Sequence, residues 1–455
     1  MEVIPESTKM EVDYSTTVDE SLPKLEKEAK EGSFFEGLEK LLNLEKQVRT
    51  GADAISTGRV LEAIVRVCFE SKQWDALCEQ LVSLTKRRSQ LKAAVSKMVQ
   101  ESIRLLEGVT DKELKIKIIE TLRTITAGKI YVEVERARLT HQLSLMLEEE
   151  GKIGEAANTM QELQIETYGS MDKQEKVELI MEQMRLCLQR KDYIRAQIIS
   201  KKISTRVFQT DELLYQKLKL RYYKLMIELD EADGKYLSVC KHYRSLLETP
   251  IIEEDEEERK NMMRHSVIYL LLSPFDNEQS DLAHRILSEK RTETIPLYRE
   301  LLQTFVRNEL IHWGDLCTKY EGELKGGPQS SHVFNPASDE GNKRWTELKN
   351  RAVEHNIRVM AKYYTRITLA RMAELLDLSV EESEQFLSNL VVAKTVFAKV
   401  DRLEGIVSFT SNLNPPEALN AWAGNLTTLM KLVGRTTHLI NKEEMVYRHL
   451  LQVKE

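Results

Sequence analysis

The stretch from Arg358 to Phe409, RVMAKYYTRITLARMAELLDLSVEESEQFLSNLVVAKTVFAKVDRLEGIVSF, decides the fold of this chain. It predicts two short helices. Thr368 can cap the first, LARMAELL, and Ser379 with Glu382 forms a capping box that satisfies two orphan N–H groups at the start of the second. Apolar side chains recur at helical spacing in both helices: Leu369, Met372, Ala373, Leu375 and Leu376, then Phe386, Leu387, Leu390 and Val391.

A two-stranded hairpin is predicted after these helices. The first strand alternates, with one set of side chains facing the core and the other facing solvent, as in a half-buried strand. Glu404-Gly405 turns the chain into a second strand at Ile406–Phe409. Helix, helix and β-wing together predict a winged helix over residues 343–412. One set is Val396, Ala398 and Val400, and the other set is Phe397, Lys399 and Asp401.

Size and composition bound the class of protein. The 455 residues suffice for two or three domains, and 42% apolar with 31% charged residues is typical of a globular protein with a charged surface. No run of 18 apolar residues predicts a transmembrane helix, and the acidic N-terminus lacks the apolar core of a signal peptide. Five scattered cysteines without a C-x-x-C pair indicate reduced thiols in a cytosolic or nuclear protein.

Most of the chain before the winged helix has the pattern of paired helices. Residues 1–30 are polar and aperiodic, which predicts disorder. No proline lies between Pro23 and Pro250, as expected for long helical arrays. Small polar turns followed by a bulky residue recur about every 40 residues, which predicts a helical-repeat solenoid over 31–325; an irregular helical domain with coincidental spacing is the alternative. The bulky residues are Trp74, Ile153, Tyr193, Tyr236, Phe275 and Trp313.

Two tracts interrupt this array. Six consecutive acids, Glu253–Glu258, favour a solvated loop or a frayed helix end over a binding site for a basic partner. Residues 326–342, GGPQSSHVFNPASDEGN, combine glycine, proline, serine and asparagine and predict a loop before the helix that leads into the winged helix.

A long helix is predicted over residues 413–455. Pro415 and Pro416 suit its first turn. Apolar or near-apolar residues follow at alternating steps of four and three, a heptad seam that either folds back on its own chain or joins a helical bundle with other chains. We predict the bundle, because the helix lies beyond the last compact domain. The seam is Trp422, Leu426, Leu429, Val433, Thr436 and Ile440, with Tyr447 and Leu451 in phase.

The sequence offers no convincing catalytic motif and no cofactor motif. It contains no phosphate-binding loop, no G-x-S-x-G elbow, and no two of its nine histidines at metal-ligand spacing. Cys317 with His312 could be proposed as a nucleophile and base, but a structural role beside Trp313 is favoured. We therefore expect a protein that is not an enzyme.

The winged helix raises the question of DNA binding, in which the second helix usually enters the major groove. That helix, VEESEQFLSNLVVAK, carries three glutamates against Lys394 alone, so phosphates would repel it. The net charge of −7 agrees. A nucleic-acid-binding adaptor and a hydrolase with an unrecognised site remain as weaker alternatives to a structural subunit. The wing's strand edges could instead pair with a neighbour's sheet.

The segment HNIRVMAKYYTRITLARMAELLDLSVEESEQFLSNLVVAKTVFAKVDRLEGIVSF (355–409), above all ITLARMAELLDLSVEESE, resembles the PCI family. This module is found in the lid of the 26S proteasome regulatory particle, in the signalosome and in a large translation-initiation factor. The resemblance to lid subunits covers the full length, and a signalosome subunit of the same architecture is the alternative.

The resemblance implies a mainly α fold, a right-handed helical-repeat solenoid followed by a winged-helix (PCI) domain and a long C-terminal helix. It implies a non-catalytic scaffold of cytoplasm and nucleus that binds other PCI-type lid subunits, holds the deubiquitinating subunit and braces the lid against the ATPase ring. Neither nucleic acid nor a membrane is implied as a partner. Edge pairing is assigned to Val396, Phe397, Ala398, Lys399, Val400, Ile406, Val407 and Phe409, and bundle contacts to Trp422, Leu426, Leu429, Val433 and Ile440.

Overall fold

The computed structural model describes residues 14–31, 34–209, 212–326, 332–409 and 415–451. The chain divides into two compact units, Met1–Arg259 and Lys260–Glu455. Among the described residues, no helix combines the length and the apolar character that a membrane crossing needs. The fold is mainly α: a helical-repeat array followed by a winged-helix domain and a long C-terminal helix, as predicted.

The first unit is built of helices. They are α1 (Ser15–Glu31), α2 (Phe34–Thr50), α3 (Ala54–Glu70), α4 (Trp74–Lys86), α5 (Lys92–Leu106), α6 (Lys112–Thr126), α7 (Glu133–Glu149), α8 (Ile153–Gln161), α9 (Lys173–Gln189), α10 (Tyr193–Ser200), α11 (Leu213–Ala232), α12 (Tyr236–Leu247) and α13 (Pro250–Glu254), and α14 (Glu256–Leu272) continues into the second unit.

The second unit adds the end of the array and the winged helix. Its elements are α15 (Asn277–Ser288), α16 (Pro296–Val306), α17 (Trp313–Gly326), α18 (Asp339–Tyr363), β1 (Arg366–Thr368), α19 (Leu369–Leu376), α20 (Val380–Val392), β2 (Lys399–Asp401), β3 (Ile406–Ser408) and α21 (Pro415–Leu451).

The predicted repeat positions mark helix starts. Five of the six bulky residues are the first residue of a helix, and Phe275 lies two residues before α15. The gap between Trp74 and Ile153 is filled by α6, which starts at Lys112. The sequence pattern missed α6 because a lysine stands where the other repeats carry a bulky apolar residue.

Apolar stripes of successive helices build the core of the first unit. Helix α3 packs against α5, α4 against α6, and α7, α9 and α11 each pack against the helix that follows. Side chains such as Leu61, Met98 and Leu122 are fully enclosed in one continuous cluster, and a second cluster continues from α7 to α11. Each helix pair thus buries its apolar face on its neighbours, as in repeat proteins.

The predicted disorder of residues 1–30 is wrong for residues 15–30, which belong to α1. Val18, Leu22, Leu25 and Ala29 repeat at steps of four and three and pack on the core formed with α2 and α3. Val18 is fully buried. The high charge of the segment and Pro23 inside the helix conceal this stripe in the sequence. Residues 1–13 lie outside the described residues.

Partly buried ion pairs connect neighbouring repeats. Glu45 of α2 is fully enclosed and binds Arg87, just beyond α4, and Arg49 at 3.1 Å. Further along the array, Arg185 of α9 contacts Glu148 of α7 through two hydrogen bonds of 2.6 and 2.7 Å.

Glu182 of the same helix accepts hydrogen bonds from Arg185 and from Arg221 of α11. Burial alone would raise the pKa of Glu182, but the bonds from the two arginines outweigh it and hold the pKa below its ordinary value. Such pairs fix how one repeat sits on the next.

Both tracts that interrupt the pattern take part in helix ends. Within the acidic run, Asp255 Oδ1 accepts from the backbone N–H groups of Glu257 and Glu258 and caps α14. Carboxylates there are stabilised by the positive end of the helix dipole. The run therefore spans the end of α13 at Glu254 and the exposed start of α14 at Glu256.

The loop predicted at 326–342 is shorter than expected, because α18 already begins at Asp339. Phe334 is buried against Trp345 with ring centroids 5.4 Å apart, which anchors the segment. A Cβ atom at Gly341 would lie 2.2 Å from the Asn335 carbonyl oxygen, so only glycine allows this close approach. Residues 327–331 are outside the described residues.

The winged-helix domain has the predicted caps. Thr368 Oγ1 accepts from the Arg371 N–H at the start of α19, and Ser379 and Glu382 form the reciprocal capping box of α20. Ile357, Met372 and Leu387 form the domain's buried core with neighbouring apolar side chains of α18, α19 and α20. The sheet is antiparallel, with strand order β1-β3-β2.

Candidate interaction surfaces

The wing turn lies where the sequence predicts it, but the strands are shorter. Gly405 has φ +65°, the left-handed conformation that the turn requires. The first strand begins at Lys399 rather than Val396. The N–H groups of Thr395 and Val396 both donate to the Leu390 carbonyl, so the chain there is still bound to the end of α20.

The strand β3 lies in the centre of the sheet, which corrects the predicted free edge at Ile406–Phe409. Val407 pairs with Ile367 on one side and with Val400 on the other. Phe409 N–H also donates to the Thr365 carbonyl at 3.0 Å. The three residues of β1 are too few to show a strand period in the sequence, so one side of β3 was expected to be unpaired.

The strand β2 keeps a free outer edge. Among the described residues it pairs only with β3. Its residues Lys399, Val400 and Asp401 are exposed, as is Phe397 just before it. The predicted alternation holds for buried Val396 and half-buried Ala398 and ends at Val400, which is 36% exposed. The remaining predicted edge residues face inward: Val407 and Phe409 are buried and Ile406 is half-buried.

Helix α20 carries a negative charge, which disfavours binding in the major groove of DNA. It ends at Val392, so Lys394 lies beyond it and the helix itself carries only the three glutamates. Glu382 is used in the capping box, and Glu384 binds Arg402 of the wing at 2.6 Å. Phosphate contacts dominate affinity for DNA, and this surface supplies carboxylates instead.

Helix α21 presents its apolar seam to solvent. All side chains described in it, at residue 416 and residues 418–448, are exposed. The predicted helix and its Pro-Pro start are confirmed. The alternative that it folds back on its own chain is wrong in this structure. Exposed seam residues are Trp422, Leu426, Leu429, Val433 and Ile440, and Leu419 extends the seam one step toward the N-terminus.

A contiguous apolar stripe of this length is typical of a surface that another helix covers. The heptad spacing in the sequence predicted the phase of this stripe correctly, but the predicted seam began at Trp422, three residues after its first apolar residue, Leu419. Leu419 is in phase with Trp422 and Leu426, which was the available signal.

The described residues contain no group of three or more His, Cys, Asp or Glu side chains that could hold a metal ion. Burial raises the pKa of the Cys317 thiol above its ordinary value, which disfavours the thiolate that a nucleophile needs. The arrangement of Cys317 near the start of α17 therefore gives no support to a Cys317–His312 catalytic pair.

Three family models match successive parts of the chain. Residues 36–255 match the family described as PSMD12/CSN4, N-terminal, residues 329–411 match the PCI domain, and residues 417–448 match the 26S proteasome regulatory subunit RPN5 C-terminal domain. Together they cover most of the array, the winged helix and most of α21.

Curated relatives match over nearly the whole length. The 26S proteasome non-ATPase regulatory subunit 12 of Dictyostelium discoideum is 42% identical, covering 97% of this chain and 96% of its own. Homolog A of that subunit in Arabidopsis thaliana is 41% identical, covering 91% and 98%. The 26S proteasome regulatory subunit RPN5 of Saccharomyces cerevisiae is 38% identical, covering 98% of both chains.

Proposed function

Because this chain belongs to the family of 26S proteasome non-ATPase regulatory subunit 12, also called RPN5, we propose that it is a non-catalytic structural subunit of the regulatory-particle lid. In this role it scaffolds lid assembly and positions the deubiquitinating subunit for ATP-dependent degradation of ubiquitinated proteins. It works in cytoplasm and nucleus, and it braces the lid against the ATPase ring.

The observation that carries this proposal is the uncovered seam of α21. Its apolar side chains are 40–61% exposed from Trp422 to Ile440, on a helix that makes no close packing with the rest of the described chain. Burying such a stripe against helices of other subunits removes apolar surface from water, which is the main favourable term in association. A bundle formed with other lid subunits would cover it.

The outer edge of β2 supports a second contact. Its unpaired backbone groups can accept a strand from the winged helix of a neighbouring PCI-type subunit. The contact would include Lys399 and Val400, with exposed Phe397 beside them. The bundle and this edge would together hold the chain among its neighbours.

Deleting residues 414–455 tests the bundle. The truncated chain should keep its helical circular-dichroism spectrum, scaled to its length, because the described side chains of α21 are exposed rather than packed on other described residues. It should fail to enter the lid on a native gel. Normal incorporation of the truncated chain would remove the bundle role.

A signalosome subunit of the same architecture is the second candidate, since the N-terminal family model is shared by both classes. The match of residues 417–448 to the RPN5 C-terminal domain favours the proteasome lid. Affinity purification of the full chain, followed by identification of the co-purifying subunits, separates the two. Recovery of signalosome subunits without lid subunits would overturn the proposal.

A further inference from the structure

A cavity of about 490 Å³ lies inside the second unit, between the end of the helical array and the winged helix. Helix α18 forms one wall with Arg351, His355, Arg358 and Lys362, which follow each other at steps of four, three and four and so share one face. Residues of α14, α15 and α16, and the segment that leads into β2, form the other walls.

The charged groups of this cavity are one-sided. Among the described residues no aspartate or glutamate lines it. Arg351 donates to Glu354 at 2.6 Å and to the Leu272 carbonyl at 3.2 Å, and Lys362 donates to Asn308 Oδ1 at 2.6 Å. These two cations have acceptors within the chain.

Arg358 differs from both. In the part of the chain that the structure describes, its guanidinium has no hydrogen-bond acceptor, and its Nη1 is covered by protein. Its specific contact is the ring of Phe275, with the guanidinium carbon 4.0 Å from the centroid. Burial lowers the pKa of Arg358 to about 10, and the attraction of Glu354 offsets this only in part. A half-buried cation thus has no hydrogen-bonded counter-ion among the described residues.

Burying a charged guanidinium without a hydrogen-bond acceptor destabilises the fold unless a bound group supplies that acceptor. Buried charges in proteins are ordinarily paired and hydrogen-bonded. Because no hydrogen bond holds the guanidinium on Phe275, rotation of its long side chain can bring it to an acceptor in the cavity. The other walls supply apolar surface from Phe305, Val396 and Phe409.

We propose that this cavity binds a small organic anion, a carboxylate or phosphate monoester on an apolar body, with Arg358 donating to the anion and the phenylalanine rings packing on the body. Its volume lies within the range of small-molecule sites, roughly 300–1,000 Å³.

Isothermal titration of the full chain tests the proposal with four probes. Phenyl phosphate and benzoate carry both an anion and a ring, inorganic phosphate carries the anion alone, and benzyl alcohol carries the ring alone. At least one of the first two should bind with a Kd of about 1 mM or tighter, as expected for a ligand of this size. Inorganic phosphate and benzyl alcohol should each bind at least about tenfold more weakly.

Variants locate the binding. Arg358→Met should weaken binding of whichever probe, phenyl phosphate or benzoate, binds more tightly to the unaltered chain, by about tenfold or more. Arg371→Met removes an exposed arginine of α19 outside the cavity and should leave the affinity for that probe unchanged. Ser280→Trp places a large side chain in the cavity from α15 and replaces none of the cations, and it decides the matter if Arg358→Met does not fold.

The proposal is overturned if neither phenyl phosphate nor benzoate gives saturable heat. It is also overturned if a folded Arg358→Met or Ser280→Trp variant binds like the unaltered chain. Equal binding of benzyl alcohol removes the role of the anion, and equal binding of inorganic phosphate removes the role of the apolar body.

Discussion

Trp422 is the residue of the α21 seam whose loss should weaken assembly most. Trp422 is 61% exposed in the isolated chain, so replacing it with alanine removes little internal packing. Tryptophan is also the residue type most enriched among the energetic centres of interfaces. Trp422→Ala should therefore leave the fold intact and weaken incorporation into the lid.

The exposed area sets the size of the effect. An enclosed aromatic side chain buries about 150–250 Å². With 61% of Trp422 exposed, roughly 90–150 Å² remains to be covered by a partner. At about 25 cal/mol per Å² this burial contributes about 2–4 kcal/mol. Ordering of the side chain costs about 1 kcal/mol, which leaves about 1–3 kcal/mol, or about 5- to 150-fold in affinity.

Competition inside the cell measures this difference. Tagged variant and untagged normal chain are co-expressed, lids are purified through another subunit, and the ratio of the two chains is determined by mass spectrometry. Met445→Ala is the matched control, because Met445 is 79% exposed and lies off the seam. It should compete equally with the normal chain.

Equal incorporation of Trp422→Ala, with an unchanged circular-dichroism spectrum, would refute the seam as the assembly surface. A loss of helical signal in the free variant would refute the independence of α21 from the rest of the fold.

Three further predictions concern the fold. Glu45→Ala leaves two half-buried arginines without their carboxylate and should lower the free energy of unfolding by about 2–3 kcal/mol, measured as a lower urea midpoint. Glu28→Ala removes a carboxylate from an exposed ion pair and should leave the urea midpoint unchanged. Ser379→Ala removes the capping box of α20 and should cost about 1 kcal/mol by the same measurement, with exposed Ser388→Ala as the neutral control. The depressed pKa of Glu182 stabilises the fold fully at pH values above the ordinary glutamate pKa of 4.5, and this stabilisation is lost progressively as the pH falls below 4.5. Between pH 7 and pH 4 the thermal midpoint should therefore fall less for Glu182→Gln than for the normal chain. Equal falls in the two midpoints would contradict this.

Features encoded by neighbouring residues were predictable from the sequence. The capping box at Ser379 and Glu382 lies within four residues and is present in the structure as predicted. The heptad phase of α21 and the helix starts at residues such as Trp74 and Tyr193 are equally local. These signals depend on turn chemistry and helical period, which do not require knowledge of tertiary contacts.

Features defined by distant contacts were not predictable. The strand β1 is three residues long and becomes a strand only by pairing with β3, about 40 positions later. Helix α1 contains Pro23 and many charges, and its stripe gains meaning only against α2 and α3. The stacking of Arg358 on Phe275 joins residues 83 positions apart. Tertiary context overrides local propensity in each case.

The short free edge of β2 changes the balance between the two proposed contacts. Three residues on its outer side offer only about two backbone hydrogen bonds to an added antiparallel strand, each worth about 1 kcal/mol net. The seam of α21 offers five half-exposed apolar side chains, each able to contribute about 1 kcal/mol or more on burial. Most of the free energy of assembly should therefore come from α21. The wing edge, because its hydrogen bonds demand a fixed register, is better suited to set the orientation of the neighbouring winged helix than to hold it.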